Sequence, residues 1–172
     1  MIGFVSSTQL KPIWPKSCPR LRREGTGAER PMRIFLDANV LFSAAKSDGA
    51  MRRLLGLLRE GGHEIWIDDY VLEEARRNLT AKEPAALAAL HILLPQLHIG
   101  ALRVADPTVL ATLPLPEKDK PVLAAAIHHR CAVMITGDHT HFGRLYGRTI
   151  SGVTVHSPGS AAVRLLTAAR KP

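Results

Sequence analysis

Short apolar runs with helical stripes between them constrain this chain more than any other feature. Arg33-Ile-Phe-Leu36, His63-Glu-Ile-Trp-Ile67, Ala132-Val-Met-Ile135 and Val153-Thr-Val155 are brief and largely apolar. Runs of that kind read as strands buried on both faces. Gly49 to Glu60 carries Met51, Leu54, Leu55 and Leu58 at helical spacing, with Arg52, Arg53 and Arg59 off that stripe. Asp69 to Leu79 and Glu83 to Leu94 are also patterned as helices, and the latter is followed by a short strand. A further strand is expected around Leu102 to Val104, and a loop at Leu113-Pro-Leu-Pro116. Pro121 suits the first turn of the next helix. Ser157-Pro158 opens a last one, with Ala162, Leu165, Leu166 and Ala169 on one stripe. Strands alternating with helices predict a parallel sheet covered on both faces. In such sheets, sites lie beyond the carboxyl ends of the strands.

Charge narrows the partner. The chain of 172 residues has a net charge of +8 and a pI near 10.1, which favours a polyanion, nucleic acid first. Only 5% of the residues are aromatic, which argues against a base-stacking platform. Cys18 and Cys131 cannot build a disulfide framework, so a reducing cytoplasm is the expected location. From Pro84 to Leu102 no Asp, Glu, Lys or Arg occurs. Pro84, His91, Pro95, Gln96 and His98 interrupt that stretch, so a buried helix and a strand explain it better than a membrane span.

Residues 1–31 differ from the rest. They carry a net charge of +4 with Pro12, Pro15, Pro19 and Pro31, and show no periodicity. They read as a disordered basic leader ahead of a domain over residues 32–172. Met32, at the start of the first strand, is an alternative first residue. The leader is expected to be dispensable; the other reading is an arm with nonspecific RNA affinity.

Four acids occupy informative places. Asp37 follows the first strand, and Asp138 follows the strand ending at Ile135. Asp119 starts a helix with Val122, Leu123 and Ala126 on its stripe, so it is expected over the buried face. On the helix from Asp69, Glu74 falls nearer the buried edge than Glu73. Two carboxylates roughly 4–5 Å apart repel by about 3–4 kcal/mol at an effective dielectric near 20. A fold that gathers four of them needs a cation, and hard oxygen donors point to Mg²⁺ or Mn²⁺. Such an ion can activate water against a phosphodiester. The plain alternative is that Asp119 and Asp138 are helix caps and Glu74 part of a solvated face.

These residues carry a resemblance. Ile34-Phe-Leu-Asp37-Ala-Asn39-Val-Leu-Phe-Ser43 resembles the opening motif of PIN-domain nucleases. Val71-Leu-Glu-Glu74-Ala-Arg-Arg-Asn-Leu79, Lys118-Asp119-Lys-Pro-Val-Leu-Ala-Ala-Ala126 and Thr136-Gly-Asp138-His-Thr-His-Phe142 resemble their next three motifs, in order. The resemblance spans residues 32 to about 158. It implies a three-layer α/β/α sandwich and a Mg²⁺- or Mn²⁺-dependent endoribonuclease. It makes Asp37, Glu74, Asp119 and Asp138 the catalytic and metal-binding acids, with Asn39 and Thr136 as polar helpers. Many small bacterial members are VapC-like toxins, neutralised by a small antitoxin protein. RNA, such an antitoxin and a second copy of the chain are therefore the expected partners. Two departures stand out: Ala38 replaces the usual Thr, and Thr140 stands where many members have another acid.

Rival readings are weaker. His128-His129 and His139/His141 lack zinc-site spacing and a cysteine partner. His139 and His141 are expected as solvated loop residues flanking the site, and His91 as a core histidine. A phosphoryl-transfer domain with Asp37 as nucleophile wants a second Asp where Asn39 stands. A noncatalytic RNA-binding or regulatory module gains nothing from an anionic pocket.

Overall fold

The computed structural model describes residues 31–101 and 106–167. All of the expected leader except Pro31, the strand expected at Leu102 to Val104 and the end of the last helix lie outside them.

Strand β1 (Arg33–Leu36) is followed at once by α1 (Ala38–Lys46) and then α2 (Ala50–Glu60). The periodicity did not predict α1, for a physical reason. Ala38, Val40, Leu41, Ala44 and Ala45 are all buried, and the helix packs against three others. Little polar face is left to mark a period. The chain then forms β2 (Glu64–Asp68), α3 (Asp69–Lys82), α4 (Leu87–Leu93) and β3 (His98–Gly100). Pro84 and Pro95 sit in single 3₁₀ turns, which cut the expected helix of residues 83–94 down to α4. Leu90 and Leu93 form its buried stripe, whereas His91 is exposed, contrary to its expected place in the core.

After α5 (Pro107–Thr112) and α6 (Lys120–His128) come β4 (Val133–Ile135) and the one-turn α7 (His139–Phe142). Strands β5 (Thr149–Ile150) and β6 (Val153–His156) form a hairpin, and α8 (Pro158–Thr167) follows. Ser151 and Gly152 both have positive φ, 48° and 87°, as a two-residue turn matched to strand twist requires.

The six strands of the described residues run in the order β3-β2-β1-β4-β6-β5. All neighbours are parallel except the β5–β6 pair. From β1 the chain steps one way to β2 and β3, then crosses back to β4 and on to β6. Right-handed crossovers therefore place α1 to α4 on one face and α5 to α7 on the other. Helix α8 returns to pack on α2. This is a three-layer α/β/α sandwich. Its direction reverses between β1 and β4, where Phe35 pairs with Met134 and Leu36 with Ile135. A doubly wound sheet opens its crevice at such a point.

Cys131 is buried, and burial pushes its thiol up to about 12, so it packs as a small apolar residue. His129 stacks on Trp66 and Phe35, with ring centroids 5.6 and 6.3 Å apart, which makes it a packing residue. No helix of the described residues is long and apolar enough to cross a membrane.

Candidate functional site

Asp37 stands at the last bond between β1 and β4. Its N–H donates to the Ile135 carbonyl at 3.0 Å, and its side chain caps α1. Oδ1 accepts from Ala38 N at 2.6 Å. Oδ2 accepts from Thr136 Oγ1 at 2.6 Å and Asn39 Nδ2 at 2.7 Å. Asp37 is only 7% exposed. Burial raises its pKa above the ordinary value by more than these hydrogen bonds lower it, and the Asp138 charge adds to the rise.

Asn39 and Thr136 fix this corner. Thr136 is fully buried. Its Oγ1 accepts from Asp138 N at 3.0 Å while donating to Asp37, and its carbonyl accepts from Tyr146 Oη at 3.1 Å. Asn39 Oδ1 accepts from Gly137 N at 2.8 Å. A Cβ on residue 137 would lie 3.1 Å from that oxygen, so glycine permits the approach.

Asp138 caps α7. Its Oδ1 accepts from His141 N at 3.0 Å, and its Oδ2 lies 2.7 Å from His141 Nδ1. Burial pushes its pKa up, but the His141 ring and main chain outweigh that and hold the carboxyl below its usual value. The cap reading is therefore correct for Asp138 in its geometry, and it leaves Oδ2 turned towards the ring.

Asp119 occupies the cap position of α6 without making a cap bond. Its side chain is 17% exposed, and Oδ2 is fully buried with no hydrogen-bond partner among the described residues. His141 again lies close by, with its Nδ1 3.6 Å from that oxygen. Glu74 is half-buried on α3, whereas Glu73 is exposed. Burial, then the charges of Asp37 and Asp119, raise the Glu74 pKa against the pull of Arg77.

The four acids thus come from the residue after β1, from α3, and from the starts of α6 and α7; the charge of Asp138 acts on Asp37, and those of Asp37 and Asp119 act on Glu74. They do not form one tight ring. Among the described residues, the group with all potential ligand atoms within 4.8 Å is Asp119, Asp138 and His141. Asp37 and Glu74 stand around it. An open cleft of about 380 Å³, lined by Asn39, Ser43, Met51, Gly137 and Asp138, lies alongside.

His141 corrects the expectation of a solvated loop residue, and Tyr146 was not singled out from sequence at all. The signal for His141 was its spacing. A residue three positions after a capping Asp folds back over the cap, so its ring meets the carboxylate. Tyr70 also feels Glu74, Asp119 and Asp37, and burial followed by those charges raises its phenol pKa.

Comparison with known proteins identifies the family and the fold. A family model described as the PIN domain matches residues 33–140, a span that includes all four acids. The structure of VapBC2 from Rickettsia felis, bound to a DNA fragment from its promoter, matches with a TM-score of 0.57 and 19% identity. The match covers 73% of this chain and 98% of that one. At that identity the likeness shows the fold. No curated protein matches. The four ordered motifs, the reversed parallel sheet and the extent of the family match together place this chain in the PIN-domain family.

Proposed function

We propose that this chain is a divalent-metal-dependent endoribonuclease that hydrolyses RNA phosphodiester bonds. The observation that carries the reading is the gathering of four carboxyls from four separate segments about the β1/β4 crevice, with Asp119 Oδ2 buried and lacking a hydrogen-bond partner among the described residues. Buried like charges of that kind fit a hard cation. Asp119 and Asp138 would hold Mg²⁺ or Mn²⁺, with Asp37 and Glu74 completing the acidic shell. When bound, such an ion activates water and neutralises charge developing on the phosphodiester.

The chain's own groups supply orientation. Thr136 and Asn39 lock Asp37 in one rotamer through two hydrogen bonds to the same oxygen. Gly137 N–H and Asn39 tie the β4 end to α1, so Asp37 and Asp138 keep their spacing. The net charge of +8 draws a polyanion towards a centre that would otherwise repel it.

The VapBC2 neighbour supports a toxin role opposed by a small antitoxin protein. A second copy of the chain is a further proposed partner. Residues 1–31 are proposed to be a dispensable leader to a domain over 32–172. The test is RNA cleavage by the full chain with Mn²⁺, Mg²⁺ or EDTA. Cutting that needs the ion and is lost in Asp37→Asn and Asp119→Asn supports the assignment. Cutting that survives EDTA or Asp37→Asn overturns it.

A further inference from the structure

We infer that His141 is a nitrogen ligand of the proposed metal centre, making it a mixed nitrogen and oxygen site that selects a first-row transition ion over Mg²⁺. The inference rests on the metal reading above and adds a donor and an ion preference to it.

Position is the first argument. His141 Nδ1 lies 2.7 Å from Asp138 Oδ2 and 3.6 Å from Asp119 Oδ2. Around an octahedral ion with bonds near 2.1 Å, adjacent donors stand about 3.0 Å apart and opposite donors about 4.2 Å apart. The 3.6 Å separation falls between those two values, and the 2.7 Å one is a hydrogen bond that an ion held between the two atoms would replace. The ring nitrogen is therefore as much a part of the cage as either carboxylate, and no other ring is: the compact group of the described residues holds this histidine and two of the acids.

Anchorage is the second argument. Asp138 spends Oδ1 on capping α7 through His141 N–H. That bond fixes the His141 backbone relative to the carboxylate and turns Oδ2 and Nδ1 to the same side. The ring is 27% exposed, open enough to admit an ion from solvent. Asp119 Oδ2 faces the same nitrogen and has no hydrogen bond among the described residues, so an oxygen donor is already in place for an ion held there. As a ligand, the imidazole presents the Nδ1 lone pair and keeps its proton on Nε2.

Donor chemistry supplies the selectivity. Mg²⁺ takes oxygen donors and sheds water reluctantly, whereas imidazole binds ions further along the transition series more tightly. A site of carboxylates alone gives little preference. One imidazole shifts it towards Mn²⁺ and, more strongly, Co²⁺.

The experiment uses Mn²⁺ bound to the full-length, tag-free protein, read by electron-nuclear double resonance, with protein carrying ¹⁵N-histidine alongside. The expected result is a ¹⁴N coupling that is replaced by a ¹⁵N coupling on labelling and is absent in His141→Gln. Mn²⁺ affinity should fall about tenfold in that variant, while Mg²⁺ affinity changes by less than about threefold. His141→Asp retains an oxygen donor, so it should bind Mn²⁺ without nitrogen coupling even if the Gln variant folds poorly. Bound Mn²⁺ with no nitrogen coupling, or a coupling that persists without His141, overturns this inference and leaves the metal centre standing. Failure of the unmutated protein to bind Mn²⁺ overturns the centre itself.

Discussion

Replacing Thr136 by valine should reveal how tightly the fold holds Asp37. The two side chains have nearly the same shape, and Thr136 is fully buried, so packing changes little. What is lost is the hydroxyl. It donates to Asp37 Oδ2 at 2.6 Å and accepts from Asp138 N at 3.0 Å. A hydrogen bond to a charged group contributes about 1.5–3 kcal/mol, and an amide left without its acceptor costs about 1 kcal/mol more. A loss of about 2.5–4 kcal/mol at pH 7 in EDTA corresponds to a fall in Tm of about 5–16 °C. The pH dependence is the sharper signature. The pKa of Asp37 is raised in the folded protein, so ionisation costs stability, beginning as pH passes its ordinary value near 3.8 and ending above the folded value. Valine removes a group that lowers this pKa, so the variant loses more stability over that range. Melts from pH 3 to pH 8 should show the gap between the two proteins widening as pH rises. Thr136→Ser should restore most of the stability. An unchanged Tm in Thr136→Val, or a gap independent of pH, would refute the argument.

Other predictions follow from the same groups. Glu74→Gln should raise the Tm of metal-free protein by about 1–2 °C at neutral pH, because its charged form is opposed by burial and by Asp37 and Asp119, yet it should abolish RNA cleavage; Glu73→Gln should change neither property appreciably. Asp138→Asn is not the variant for that purpose, because His141 and the cap hold Asp138 ionised and its loss should lower the metal-free Tm. Burial, and then Arg164, lower the pKa of His156, so acid melts should show stability falling as pH drops through the ordinary value near 6.5, and His156→Asn should flatten that slope. Protein begun at Met32 should keep the Tm of the full chain to within about 2 °C and retain its RNA cleavage, which thermal melts and a cleavage assay check together.

The layout of the sheet was legible because β1, β4 and β6 are short apolar runs with patterned helices nearby. The direction of α3 was legible too: its stripe of Val71, Leu72, Ala75 and Leu79 placed Glu74 inward of Glu73. Helix α1 was not legible, since burial on most sides erases the alternation that periodicity detects. Helices α5 and α7 span six and four residues, too short for a stripe, and depend on the caps of Asp106 and Asp138. Asp68 escaped notice as well; it is a buried acid, but it caps α3 through Val71 N at 2.9 Å. At the site, motif spacing pointed to the acids, but their unequal environments come from three dimensions. No one-dimensional pattern says that the Asp37 side chain accepts three hydrogen bonds while Asp119 Oδ2 has none among the described residues, or that His141 turns back between Asp119 and Asp138.

These acids are proposed to hold a divalent ion. Anomalous scattering from crystals of the full-length protein grown with Mn²⁺ tests it most directly. A Mn²⁺ peak is expected about 2.1 Å from oxygens of Asp119 and Asp138, on the side facing Asp37 and Glu74. Fully ordered acids with no peak among them at saturating Mn²⁺, or a peak held only by other residues, would contradict it.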